Sequence, residues 1–139
     1  MEAKKIIITG AATRIGASIA KSLADFNMKI LLHYNKSFVE VKKLKTGLEE
    51  MGAEVFIIKA DLNKTNETKK IIPYAYKMMT GIDCLINNAS IFENDNIENF
   101  NEKGFDKHLN INLKSPALLS KDFFKYIKKH PNIHVLPNK

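Results

Sequence analysis

The sequence predicts an α/β fold, an open doubly wound parallel sheet of about five strands with flanking helices, in one domain over residues 1–139. Three observations point to it. Short, near-continuously apolar runs alternate with longer stretches whose apolar residues recur at spacings of three and four. A strand-like run near the N-terminus passes through a glycine turn into a helical pattern. No internal repeat or low-complexity linker divides the chain, and 139 residues suit a single compact core.

The first four strands are expected at 5–9, 29–33, 54–58 and 82–86, with a fifth at 132–136 before Pro137. Apolar runs of this kind are usually buried on both faces of a sheet. Helices are expected at 15–26, 38–51 and 65–79, the crossovers that parallel strands require, and a further one at 115–129. Ile15, Ile19 and Leu23 share one face of the first helix, and Val41, Leu44 and Leu48 share one face of the second.

Composition narrows the function classes. Hydrophobic residues are 45% and charged residues 27%, a balance that belongs to soluble globular proteins. No run approaches the roughly 20 apolar residues of a spanning helix, and residues 1–5 show no apolar secretion leader, so a cytoplasmic protein without a membrane partner is expected. The single cysteine, Cys84, cannot form an internal disulfide; its apolar surroundings predict a buried, inert thiol, and no metal site is expected. The net charge of +7 is compatible with nucleic acid, an acidic membrane or a phosphate-bearing small ligand. All basic residues except Arg14 are lysines, dispersed without the interleaved aromatics of a nucleic-acid groove, so a small-molecule partner is expected instead.

The run Ile6-Ile7-Ile8-Thr9-Gly10-Ala11-Ala12-Thr13-Arg14-Ile15-Gly16 carries the first functional signal. A strand, a small-residue turn and a helix with a second glycine in its first turn make a place for a pyrophosphate, because unpaired N–H groups point out of the helix start. A tight βα turn without ligand is the alternative. About 20 positions further on, where an acidic residue would bind ribose hydroxyls, Leu32-His33-Tyr34-Asn35-Lys36-Ser37 offers hydrogen-bond donors and a cation. That chemistry suits a 2′-phosphate and favours NADP over NAD. Ser37 is equally placed to cap the next helix, and His33 and Tyr34 to serve simply in the core.

The Thr-Gly-x-x-x-x-x-Gly turn resembles that of the short-chain dehydrogenases/reductases, and the resemblance covers nearly the whole chain. It implies a Rossmann-type sheet with Gly10, Arg14, Ile15 and Gly16 along the cofactor. Most members carry glycine where this chain has Arg14; the substitution resembles the pteridine reductase branch, in which the arginine is implied to reach cofactor phosphate and substrate. A guanidinium at a helix start suits that role, although an exposed arginine is also compatible. The His33 to Ser37 segment is similar to that branch's His-Tyr-x-Arg-Ser, with Lys36 keeping the charge but losing the bidentate fork. Asp61 and Leu62 resemble the pair that borders adenine; a turn aspartate is the alternative. Asn87-Asn88-Ala89-Ser90 resembles the family's Asn-Asn-Ala-Gly, and Ser90 with Phe92 is implied to meet a pterin, unless Phe92 is a loop anchor.

Asn112 matches the catalytic asparagine, implied to organise a water in the proton relay. The Tyr-x-x-x-Lys pair that would donate the proton and bind the ribose is absent: His130 follows Tyr126 by four residues and Phe38 follows Tyr34. Family members continue well past this point, so the sheet is expected to be incomplete, as a fragment or a shortened gene. Uncovered apolar faces and a helix at 115–129 carrying Leu118, Leu119, Phe123, Phe124 and Ile127 then predict self-association. Two readings compete: an NADP(H)-dependent reductase acting on a small molecule such as a pteridine, inactive as this chain stands, or a non-catalytic nucleotide-binding or interaction module. A phosphoacceptor signalling domain would need an acidic cluster that Asp61 and Asp83 do not make.

Overall fold

A computed structural model describes residues 2–129. The strands are β1 (Lys4–Ile8), β2 (Met28–Tyr34), β3 (Glu54–Lys59) and β4 (Cys84–Ile86), all parallel, in the order β3-β2-β1-β4. The helices are α1 (Arg14–Leu23), α2 (Phe38–Glu50), α3 (Thr65–Thr68), α4 (Ile71–Met79), α5 (Glu102–Leu109) and α6 (Ser115–Lys129), with a π-helical turn, Asn110–Lys114, joining the last two. The predicted parallel sheet with flanking helices is thus observed; the strand expected at 132–136 lies outside the described residues. Among the described residues no helix is long and apolar enough to cross a membrane.

Alternation along β1 and β2 builds two cores. Ile6, Ile8, Ile30 and Leu32 point to one face, against Val41, Leu44 and Leu48 of α2 and Ala20 of α1. Ile7 and Leu31 point to the other, against Ile71, Ile72, Ala75 and Met79 of α4 and Leu119 of α6. A residue period of two sends neighbours to opposite faces, so a strand covered on both sides must be apolar throughout. That expectation holds for β1 and β2 but not for the sheet's borders. β3 is half-buried along most of its length, and Cys84 at the start of β4 is exposed rather than buried, because β4 has no neighbour beyond it among the described residues. Desolvation first, and the Asp83 carboxylate second, still push the Cys84 thiol above its ordinary value.

The helix expected at 115–129 is observed as α6, whereas the one expected at 65–79 is corrected. The stretch 65–79 is two helices, because Pro73 has no N–H to give the Lys69 carbonyl and its ring crowds that group; the chain restarts at Ile71, where Pro73 falls in the first turn. The helix expected at 115–129 is the end of a longer one that begins at Glu102, where the Asn101 side chain caps the Gly104 N–H at 2.8 Å. Continuity through 110–114 is kept by a wider turn in which the Ser115 N–H donates to the Asn110 carbonyl.

Leu31 is fully buried between β1, β3 and the α4 layer, whereas Val39 on α2 is 74% exposed. Leu31→Ala is predicted to lower unfolding free energy by about 2–5 kcal/mol, and Val39→Ala by no more than about 0.5 kcal/mol, read by chemical denaturation. Equal effects would show that this core is misplaced.

Candidate functional site

The chain leaves β1 outward through β2 to β3, then returns to place β4 on the other side of β1. The carboxyl ends of β1 and β4 therefore flank the point where strand order reverses, and open α/β sheets form their ligand crevices there. At this point the turn after β1 enters α1 under severe steric limits. Gly10 has a φ of +60, and a Cβ on it would lie 2.8 Å from the Ala89 Cα. A Cβ on the buried Gly16 would lie 2.3 Å from the Gly10 carbonyl oxygen and 2.7 Å from Asn88 Nδ2. Both glycines are thus required by the close passage of turn, helix and β4 end, whatever lies outside.

Arg14, the first residue of α1, also adopts a positive φ of 54, which explains why a glycine suits that position. A side chain there costs about 1–2 kcal/mol, strain of the sort that persists where surrounding structure enforces it. Arg14 and Ile15 are exposed, the latter at 70%. Thr13 makes no side-chain cap, and no acidic residue sits in the first turn. The first-turn N–H groups of α1 consequently face the crevice with their partial positive charge uncompensated.

One threonine and one asparagine lock these pieces together. The Thr9 hydroxyl accepts from the N–H groups of Asn88 (3.1 Å) and Ala89 (3.0 Å) and donates to the Ile86 carbonyl at 3.4 Å. Asn88 Nδ2 donates to the carbonyls of Thr9 (3.0 Å) and Gly10 (3.1 Å), and Asn87 Nδ2 reaches Ser120 Oγ on α6 at 3.1 Å. Asn88 therefore ties the end of β1 to the segment after β4, and Asn87 ties that segment to α6.

His33 lies beneath the turn, only 2% exposed. Its Nδ1 accepts from the Gly10 N–H at 3.0 Å, which leaves Nε2 protonated to donate to the Ala60 carbonyl at 3.0 Å. The ring is thus neutral, and burial pushes its pKa below the ordinary value, more than the Ala60 carbonyl raises it. Tyr34 is buried with its ring 5.9 Å from that of Phe38. Asn35, Lys36 and Ser37 lie at the crevice edge, and although Ser37 occupies the N-cap position of α2, its hydroxyl makes no cap bond. Asp61 closes a turn, its Oδ1 accepting from the Asn63 N–H at 3.0 Å, while Leu62 is buried and its carbonyl accepts from Ser115 Oγ at 2.6 Å.

The crevice comprises two adjoining cavities. One of about 610 Å³ is lined by Gly10, Arg14, Ile15, Gly16, His33 and Leu62, and on its far side by Asn88, Ala89, Ser90 and Phe92. The other, about 420 Å³, takes in Tyr34, Asn35, Lys36, Ser37 and Asp61. Phe92 is 87% exposed, so it is not a buried loop anchor. Asn112 stands apart from both walls: its Oδ1 accepts from the Ile91 N–H at 2.8 Å and its Nδ2 donates to the Ile91 carbonyl at 2.9 Å, which pins the loop after β4 to the π-helical turn. Ile91 and Ile111 line both cavities, and Glu93 and Lys107 line the second. Sequence reasoning does not find them: Lys107 is brought inward by α5, whose start signal is Asn101 followed by Glu102, Ile111 by the π-helical turn, and Ile91 and Glu93 by the loop after β4.

The family model described as short chain dehydrogenase matches residues 4–135. An uncharacterized oxidoreductase of Thermotoga maritima is 32% identical over 128 residues, which are 92% of this chain and 50% of that protein. The 3-oxoacyl-acyl-carrier-protein reductase FabG of Staphylococcus epidermidis is 30% identical over 111 residues, 80% of this chain and 46% of its own. Among solved structures, a short chain dehydrogenase from Burkholderia cenocepacia in complex with NADP superposes with a TM-score of 0.86 at 26% identity, over 90% of this chain and 51% of that one. FolM alternative dihydrofolate reductase 1 from Brucella suis, in complex with NADP, gives 0.80 at 28% identity, over 88% of this chain and 50% of its own. The chain spans about half the length of the curated relatives it matches.

Two predictions follow from the geometry of the turn. Gly16→Ala puts a methyl group against backbone and is expected to cost about 1–3 kcal/mol, seen as a lowered Tm; an unchanged Tm would mean that the turn is looser than described. Because the folded pKa of His33 is depressed below 6.5, the unfolded chain takes up the proton first as pH falls. Stability is therefore expected to be intact above about pH 6.5 and to decline below it, and His33→Gln to flatten that part of the profile. A decline of the same size in the variant would assign it to other groups.

Proposed function

The chain belongs to the short-chain dehydrogenase family, and on that premise we propose that it is the NADP(H)-binding half of an oxidoreductase whose substrate is a small, pteridine-like heterocycle. The observation that carries the cofactor choice is the end of β2. No acid stands there to bind ribose hydroxyls; Lys36 and the uncapped Ser37 hydroxyl face the cavity instead. A 2′-phosphate fits that pair, as cation and donor, and would repel an acid. The NADP-bound relatives support the same choice.

The rest of the crevice fits the cofactor as well. The first-turn amides of α1 and the Arg14 guanidinium take the pyrophosphate, and Gly10 and Gly16 act indirectly, by letting the turn, the helix and the end of β4 pack closely enough to aim those amides at the crevice. His33 keeps the turn in its binding shape from beneath, and Leu62 with Asp61 borders the adenine. The bound nicotinamide supplies the hydride. Ser90 offers a hydroxyl and Phe92 an exposed ring at the edge of the first cavity, partners for the polar edge and the face of a planar heterocycle, and the dihydrofolate reductase among the structural relatives supports that class.

Proton donation is the step this chain does not supply. It has no Tyr-x-x-x-Lys pair, and both ends of the Asn112 amide are engaged by Ile91. The chain by itself therefore binds cofactor without turnover, and the same two observations favour a second reading, a nucleotide-binding module with no chemistry of its own. On α6, Leu119 is buried in the core while Phe124 is 62% exposed, which supports self-association through that helix; a monomer by light scattering would refute it.

Titration of NADPH and NADH followed by nicotinamide fluorescence tests the assignment. NADPH is expected to bind more tightly than NADH, and Lys36→Met to weaken NADPH by about fivefold while leaving NADH unchanged. Equal affinities for the two cofactors would refute the phosphate site. Oxidation of NADPH on addition of a dihydropteridine would refute the absence of turnover.

A further inference from the structure

Opposite Lys36, the wall of the second cavity is formed by α5 and the loop before it, and it carries two charged side chains that belong to none of the motifs. Glu93 and Lys107 line the same cavity as Lys36 and Ser37 and form an ion pair with each other. Glu93 is also fixed by its backbone, since its N–H donates to His108 Nε2 at 3.0 Å while His108 Nδ1 is held by the Gly104 carbonyl at 2.8 Å. The carboxylate is thus presented to the cavity from a loop anchored to α5. The Lys107 hydrogen bond, and after it the charges of Lys107 and Lys36, hold the Glu93 carboxyl below its ordinary value. It is ionised at neutral pH.

We propose that Glu93 is a specificity-determining residue, an internal counterion that competes with the 2′-phosphate of NADP(H) for Lys36, and that Lys107 is the positioning residue that holds it away. The inference rests on the NADP(H) reading of the site. A phosphate brings nearly two negative charges to Lys36 and must overcome the carboxylate already near it. NADH brings none and does not meet the competition. The preference for NADPH is then the difference between attraction by Lys36 and repulsion by Glu93, and Lys107 reduces that repulsion by drawing the carboxylate to α5. Both side chains are partly exposed, at 54% for Glu93 and 38% for Lys107, so solvent limits each effect to about two- to fivefold.

The test is the dissociation constant of NADPH and of NADH for the whole chain, its Glu93→Gln and Lys107→Met variants, and the double variant. Glu93→Gln is expected to tighten NADPH by about two- to fivefold and Lys107→Met to weaken it by a similar factor, with NADH unchanged in both. Unchanged NADH binding also reports that the variants are folded. If Lys107 acts through Glu93, Lys107→Met loses its effect in the Glu93→Gln background. NADPH binding that Glu93→Gln leaves unchanged or weakens would overturn this inference alone. A chain that binds no NADPH in any form would overturn it together with the reading on which it rests.

Discussion

Where α1 meets the ends of β1 and β4 there is no room for a methyl group, and the rest of the site is arranged around that contact. A Cβ at Gly16 would sit 2.3 Å from the Gly10 carbonyl oxygen, and that oxygen also accepts from Asn88. The helix start is thus drawn down onto the turn, and the turn onto β4. Only such an approach aims the free amides of α1 at the crevice. It also accounts for the Thr9 hydroxyl, which takes two N–H groups that β4 can no longer pair as a strand once it turns away after Ile86.

A polar scaffold underlies this contact. His33, itself buried, links the turn to the end of β3 through the half-buried Gly10 and the buried Ala60. An apolar residue would leave the buried Ala60 carbonyl unpaired, at about 1–3 kcal/mol, and free the Gly10 N–H from the turn. The strained backbone at Arg14 is tolerable because the helix is already held on both sides. The proposed binding surface is accordingly preorganised at its backbone: the amide donors are fixed by the fold, so the ordering cost on binding would fall on few side chains.

Much of this was legible in the sequence because it rests on local chemistry. Short apolar runs, Ile6 to Ile8 and Ile30 to Leu32, mark β1 and β2, and the glycine spacing marks the turn. Every residue singled out for cofactor contact lies on one of the two adjoining cavities, a consequence of strand order rather than of sequence proximity. What escaped was set by longer-range or less common rules. Pro73 splits a helical pattern whose apolar periodicity continues undisturbed across the break. The π-helical turn has no propensity signature, yet it decides where Ile111 and Asn112 point. Cys84 looked buried because its neighbours are apolar, but exposure depends on which strand borders the sheet. The Glu93–Lys107 pair joins positions 14 residues apart, a contact only the fold can make.

The central claim is that the first turn of α1 and the end of β2 together form a phosphate-binding surface, with Gly10 engaged from beneath. Amide shifts in nitrogen-15 NMR spectra of the chain, recorded as NADPH is added, address it most directly. The largest shifts are predicted at the amides of Arg14, Ile15, Gly16, Lys36 and Ser37, with the Gly10 amide little changed because His33 already accepts from it. Shifts centred away from these two segments, or a dominant shift at Gly10, would contradict the account.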